Sequence, residues 1–242
     1  MRRQRVLIFT NFVTLVLLLY VGYKSRYFQQ TYNRLVLNKT EIVDIYSFSL
    51  NPKYIEQINY CAVYTKQSDI AMLGNSHVYR INWDDLLNRT DVANRGVGSD
   101  ITAGFISRLP FVYAVKPKIC FIEGGINDIF RGFDDSTILN NFSTIITELK
   151  TRNISPVLMS VCKVTKRYSN AKEVNDRVEK LNTGIKALAL KDHVRLLDLN
   201  AYLEKDGYLS DEFAGLDGLH FSGTAYLIWK EEIQKVLLEV GL

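Results

Sequence analysis

Four short segments hold residues whose types and order suit acyl transfer: Gly74-Asn75-Ser76-His77, Asn94-Arg95-Gly96-Val97-Gly98-Ser99-Asp100, Gly125-Ile126-Asn127-Asp128 and Asp217-Gly218-Leu219-His220. Attack on an ester carbonyl needs a hydroxyl nucleophile, a base, a carboxylate to orient that base, and donors for the oxyanion. Ser76 offers the hydroxyl, which is unreactive alone at neutral pH. His220 would take its proton and return it to the leaving group. Asp217, three residues earlier, can accept from the other ring N–H of His220 and fix its tautomer and orientation. The oxyanion donors would be the Ser76 backbone N–H, a backbone N–H from the Gly96–Asp100 loop and the Asn127 side-chain amide. Each such donor is worth about 3 kcal/mol in the transition state.

Taken singly, these segments have plainer readings. Ser76 suits the N-cap of a helix running through Trp83 to Leu87, and Asn127-Asp128 suits the cap of the next helix. Gly-rich loops also end parallel strands in many proteins that catalyse nothing. Asp217 and His220 are harder to dismiss, because the pair has no evident packing role ahead of an apolar helix. The conjunction of four segments favours catalysis. His77 follows the nucleophile directly, so its side chain should point away from Ser76 Oγ and at most support the site or touch substrate. His193 reads as a solvated turn residue, and Arg131 and the Lys163–Arg167 segment read as solvated loop charge. Gly96-x-Gly98 is no dinucleotide fingerprint, since it follows the second strand and lacks the third glycine; nor is there a P-loop. Cys61, Cys120 and Cys162 are too few for a disulfide scaffold and too widely spaced for zinc. Neither metal nor cofactor is expected.

The elements that must position these residues show in the hydrophobic pattern. Short apolar runs closing on glycine mark strands at Asp69–Leu73, at Val92-Ala93 before Asn94-Arg95-Gly96, and at Ile119–Ile122; Pro156–Val161 and Val194–Asp198 complete five. Between them, helical spacing runs through Ile138, Phe142, Ile145, Ile146 and Leu149, and through Val174, Val178, Leu181, Ile185 and Leu188. A last helix, Ala225 to Val240, sets Ile228, Ile233, Val236, Leu237 and Val240 along one side. Strands alternating with helices predict βαβ units and a parallel sheet. Working residues in such a sheet lie past the carboxyl ends of the strands, where three of the four segments fall.

In this order the segments resemble the SGNH hydrolase superfamily, the GDSL-type esterases and lipases. Gly74-Asn75-Ser76 matches its serine block, Asn94–Asp100 its glycine block, Gly125–Asp128 its Gly-x-Asn-Asp block and Asp217–His220 its Asp-x-x-His block, over roughly residues 69–235. The resemblance implies a flavodoxin-like three-layer α/β/α sandwich with a parallel five-stranded sheet. It also implies hydrolysis or transfer of an ester-linked acyl group without a cofactor. Two positions depart from the family. Asn75 stands where an Asp is usual, which should alter shape rather than chemistry. Ser99 stands where Gly is common, and Ser tolerates positive φ less well, so the loop donor is either Ser99 or Gly98.

The chain has 242 residues, 47% of them hydrophobic, with 30 Lys+Arg against 26 Asp+Glu. That is enough apolar residue for a real core and excludes a disordered chain. Arg2, Arg3, Arg5, Lys24 and Arg26 carry the positive excess; residues 27–242 hold 25 basic and 26 acidic side chains. A nucleic-acid partner is therefore not expected. Val6 to Tyr23 carry no charge and as a helix would span about 27 Å, enough for a thin hydrocarbon core. A cleaved secretory signal shares much of this pattern, but Tyr20–Lys24 supplies a single small residue. The expected organisation is a cytoplasmic tail (1–5), a transmembrane signal-anchor (6–23), a juxtamembrane segment (24–66) that packs on the domain as helix or loop, and a hydrolase domain (67–242). The domain would face the periplasm, cell surface or lumen, where three unpaired cysteines would have to be buried. The expected function is a membrane-anchored serine esterase acting on O-acyl esters, with short acyl groups on a cell-envelope glycan or a lipid as candidate substrates. Two alternatives stay open: an O-acyltransferase using the same residues, and a binding or assembly module with a relic site.

Overall fold

Five short strands pair in parallel: β1 (Ile70–Gly74), β2 (Val92–Gly96), β3 (Ile119–Glu123), β4 (Ser155–Met159) and β5 (Arg195–Leu197), in the order β2-β1-β3-β4-β5. Full burial of β1 and β3 explains their uniform apolarity, since helices cover both sides. The computed structural model describes Thr14 and residues 47–242. Apart from Thr14, the expected tail and anchor lie outside the described residues, as does the expected juxtamembrane segment up to residue 46. Among the described residues no helix is long and apolar enough to cross a membrane.

The helices, in chain order, are α1 (Pro52–Val63), α2 (Ser76–Tyr79), α3 (Trp83–Leu87), α4 (Thr102–Ser107), α5 (Leu109–Tyr113), α6 (Ile126–Phe130), α7 (Asp135–Lys150), α8 (Ala171–Lys191), α9 (Asn200–Leu203) and α10 (Gly223–Glu239). A two-stranded hairpin of Glu204–Lys205 with Tyr208–Leu209 follows α9. On one sheet face Ile70, Met72, Ile119, Phe121, Val157 and Met159 pack with Trp83 of α3 and Trp229, Ile233, Val236 and Leu237 of α10. The other face meets α7 and α8, which bury Ile138, Phe142, Ile145, Ile146 and Leu149 and Val178, Leu181 and Ile185. Each such fully buried side chain contributes about 1.5–3 kcal/mol. All three cysteines are free and buried.

Some boundaries differ from the sequence pattern. β2 runs on through Asn94 and Arg95, because their polar ends leave the sheet to bind backbone carbonyls. The α10 stripe also takes in Ala225, Tyr226 and Trp229, with Ile228 partly buried against the core, and Val240 is exposed beyond the helix end. α1 packs on the domain: Tyr54 and Cys61 are buried, Asn51 Nδ2 donates to the Gly98 carbonyl at 2.7 Å, and Arg95 donates to the Tyr64 carbonyl at 2.9 Å.

Candidate active site

The carboxyl end of β1 delivers Ser76. Asn75 is buried and caps α2, its Oδ1 accepting from the His77 backbone N–H at 2.8 Å, so Ser76 opens the helix and is not its cap. A separate cap, Asn82, starts α3. The short helix lies directly on β2: a Cβ at Gly96 would come within 2.6 Å of Tyr79 Cα, so only glycine admits the approach. Asn94 Nδ2 then donates to the Val78, Tyr79 and Ile81 carbonyls at 3.1, 3.3 and 2.9 Å, satisfying acceptors at the helix end.

The Asp217–His220 turn arrives from the other end of the chain. Gly218 takes φ +71, and Asp217 Oδ1 accepts from the backbone N–H groups of Leu219 and His220 at 3.1 and 2.9 Å. Thr165 N–H donates to the Gly218 carbonyl at 2.9 Å, pinning the turn to the loop after β4. This brings His220 Nε2 to 2.8 Å from Ser76 Oγ and His220 Nδ1 to 2.5 Å from Asp217 Oδ2. A carboxylate partner at Nδ1 places the proton there, leaving Nε2 to accept from the serine hydroxyl.

Charge follows the same geometry. Partial burial works against ionisation of Asp217, but the hydrogen bonds from the His220 ring and from the His220 and Leu219 backbone outweigh it and hold the carboxyl well below its usual range. Burial pushes His220 down; the Asp217 hydrogen bond opposes this, and the nearby His77 and Arg80 add to the downward push. The balance favours the neutral ring, the form that can accept a proton.

The remaining sequence-predicted residues follow the carboxyl ends of β2 and β3, the strands on either side of β1. As the first residue of α2, Ser76 has a backbone N–H without an intrahelical acceptor. In the loop after β2, Asp100 N–H closes onto the Val97 carbonyl at 3.3 Å, and Ser99 is exposed at φ +61. Gly98 instead is buried, its carbonyl held by Asn51 and its Cα face against Lys53. Asn127, inside α6 rather than capping the next helix, donates to the Asp100 carbonyl at 2.8 Å, tying the loop to the β3 end; α7 has its own cap in Asp134. Beneath, Asp128 accepts from the Thr102 backbone and hydroxyl, and burial raises its pKa to about 7. Arg108 bonds Asp100 at 2.8 Å and the Gly74 carbonyl at 2.8 Å, joining the glycine loop to the serine strand.

The expectation of solvated charge fails at Lys163, whereas Arg167 stays exposed although it is paired. Lys163 is buried and paired with Glu204 and Glu179 at 2.6 and 2.9 Å, and Arg167 pairs with Asp211 at 2.9 Å. Arg131 likewise donates to the Ser99 carbonyl at 3.0 Å. These cations brace the loops around the site. His193, as expected, is an exposed turn residue.

His77 is buried, so it cannot touch substrate; it lies edge-on to His220 with ring centroids 5.5 Å apart. Glu123 was not singled out by sequence reasoning, yet its buried carboxyl faces both Asn75 and His77. The available signal was an acid closing a fully apolar strand just before Gly124-Gly125. Among the described residues no cluster of His, Cys, Asp and Glu could hold a metal ion.

The family model for GDSL-like lipases/acylhydrolases matches residues 74–228. The chain belongs to that family. Similar solved structures include a GDSL-like lipase from Bacteroides thetaiotaomicron (TM-score 0.68, 18% identity, covering 77% of this chain and 98% of that one). A lipase/acylhydrolase from Enterococcus faecalis (TM-score 0.62, 22% identity, 71% and 95%) and an acetyl xylan esterase (TM-score 0.61, 14% identity, 69% and 98%) share the fold. Among curated proteins, the N-acylneuraminate cytidylyltransferase of Streptococcus agalactiae is 24% identical over 183 residues, or 75% of this chain. The chain spans 41% of that relative's length.

Proposed function

We propose that the protein hydrolyses O-acyl esters by a Ser76-His220-Asp217 triad. The observation that carries this reading is the unbroken chain of short contacts from Ser76 Oγ through the His220 ring to Asp217. His220 takes the serine proton as Oγ attacks the acyl carbon, and the resulting imidazolium is stabilised by Asp217. The oxyanion is held by the backbone N–H groups of Ser76 and Ser99 and the Asn127 amide. Ser99 is preferred over Gly98 because it holds the left-handed position of the loop and is exposed, whereas Gly98 is packed under α1. His220 then protonates the leaving alcohol, and water repeats the cycle on the acyl-enzyme.

For substrate we carry forward a short acyl group, such as acetyl, on a carbohydrate. Its support is an N-acylated sugar in the name of one relative and acetylated xylan in that of a similar structure. A stacked aromatic pair, Phe130 and Tyr168, with ring centroids 5.6 Å apart, also offers a flat face near Asp217. We further propose that Val6 to Tyr23 anchor the chain in a membrane with the hydrolase domain outside the cytoplasm, on the charge and hydropathy pattern.

The test is a fluorophosphonate applied to the full-length chain. Labelling is expected in the wild type and lost in Ser76→Ala and His220→Ala. A folded wild type that resists labelling would sink the catalytic reading.

A further inference from the structure

His77 is one residue past the nucleophile, and Leu219 is one residue before the base. His77 Nε2 stands 3.1 Å from the Leu219 carbonyl oxygen. A carbonyl only accepts, so Nε2 must carry a proton and donate it. This bond joins the same two segments as the Ser76–His220 bond and runs beside it. At the far side of the ring, Nδ1 faces Glu123 Oε1 at 3.5 Å, and Asn75 Nδ2 faces the same oxygen at 3.4 Å. With Nε2 committed as donor, Nδ1 is the nitrogen turned to the Glu123 carboxyl.

The rest of His77 is held as firmly. Its ring stacks on Phe221 at 4.5 Å, its backbone carbonyl accepts from the Tyr226 hydroxyl at 2.7 Å, and its N–H is taken by Asn75 Oδ1. His77 and Glu123 are 1% and 0% exposed. By contrast Asp217 is exposed, and the turn carrying His220 has a glycine at its centre. Something rigid must set where that turn stands.

We propose that His77 is a positioning residue. Its Nε2–H holds the Leu219 carbonyl, and with it the His220 ring, at the distance that keeps His220 Nε2 on Ser76 Oγ; the Glu123 carboxyl faces the other nitrogen of the His77 ring. The inference rests on the catalytic reading of Ser76 and His220. It also accounts for Asn75. The family's usual Asp would set a second carboxylate about 3.4 Å from buried Glu123, where like charges repel, whereas the amide donates.

Two variants of the full-length chain separate tether from filler, assayed on p-nitrophenyl acetate. In His77→Gln the amide N–H still reaches the Leu219 carbonyl. In His77→Asn the side chain is one methylene shorter and keeps a donor toward Glu123 alone. Displacement of a catalytic group by about 1 Å costs on the order of 10²-fold in rate, so kcat of His77→Asn should fall by about that factor with KM nearly unmoved. His77→Gln should recover about tenfold of it at similar thermal stability. Equal kcat in the two variants, or a loss confined to KM, overturns the proposal. Imidazole nitrogen-15 shifts of the wild type read the bond without turnover: a proton-bearing His77 Nε2 is expected, and a bare one overturns the tether however active the enzyme is. Esterase activity that survives Ser76→Ala would instead refute the catalytic reading and leave the nitrogen-15 result to judge the bond.

Discussion

Two imidazole–carboxylate pairs lie side by side in this molecule, and they are built in opposite ways. His220 and Asp217 meet at 2.5 Å with side chains 15% and 49% exposed; His77 and Glu123 meet at 3.5 Å with 1% and 0% exposed. Asp217 is saturated with donors from the turn it closes, so it stays ionised while touching water. Glu123 has long contacts on one oxygen and, among the described residues, no partner on the other. One ring presents a free nitrogen to a serine hydroxyl; the other has both nitrogens committed inside the protein. On the proposed reading, the same residue types serve as a base and as a strut. What assigns the roles is exposure and donor count, not residue identity.

The largest expected effect tests the exposed pair. Ser76→Ala and His220→Ala should each lower kcat by on the order of 10⁶, and Asp217→Asn by on the order of 10⁴. Glu123→Gln, which retains an acceptor for the ring, should cost less than about tenfold. Steady-state kinetics on an acetyl ester checks this, and equal losses in Asp217→Asn and Glu123→Gln would erase the distinction between the pairs. Next comes Asn75→Asp, expected to cost on the order of 3 kcal/mol in urea unfolding by facing one buried carboxylate with another. The folded pKa of such a carboxyl lies above its unfolded value, so its penalty is small at acid pH and grows as pH rises. A variant equally stable at pH 8 and pH 5 would show that Asn75 and Glu123 do not interact.

The pH profile sharpens the comparison further. Catalysis needs neutral His220, so kcat/KM should rise with pH through a midpoint below about 6.5, the ordinary histidine value. Asp217 raises the His220 pKa, so Asp217→Asn should move that midpoint lower still. A midpoint above the ordinary value would mean that burial does not govern this ring. The smallest effect is Ser99→Gly, which relieves a left-handed backbone and should stabilise by up to about 1 kcal/mol. A loss of thermal stability would show that the Ser99 side chain or chain entropy outweighs that strain.

Much of this was legible beforehand. β1 and β3 are buried on both faces, so their apolar runs stood out, and α7 and α8 declared themselves by three- and four-residue spacing. Where polar groups enter an element the pattern failed. Asn94 and Arg95 hid the end of β2 because their side chains serve neighbouring carbonyls. α1 buries few residues, so its stripe is faint, although Asn51-Pro52 is a helix-start signal that was available. Lys163 looked solvated because both of its carboxylate partners, Glu179 and Glu204, are remote in sequence.

The site divides the same way. Ser76, Asn127, Asp217 and His220 were readable because strand ends, tight turns and capping are local, and their chemistry constrains which residues can occupy them. Glycine at 218 was written into the chain by the same local sterics, whereas Gly96 answers the close approach of α2. His220 was read as the base and His77 as at most a support; which groups hold the His77 ring was not readable. His77 adjoins the serine in sequence and is turned inward, while His220 reaches Ser76 Oγ across 144 positions. Residue types and backbone turns are set over a few neighbouring residues, so the sequence by itself determined them. Partner, burial and tautomer depend on how the sheet and its helices stack, and the tertiary structure alone decided those.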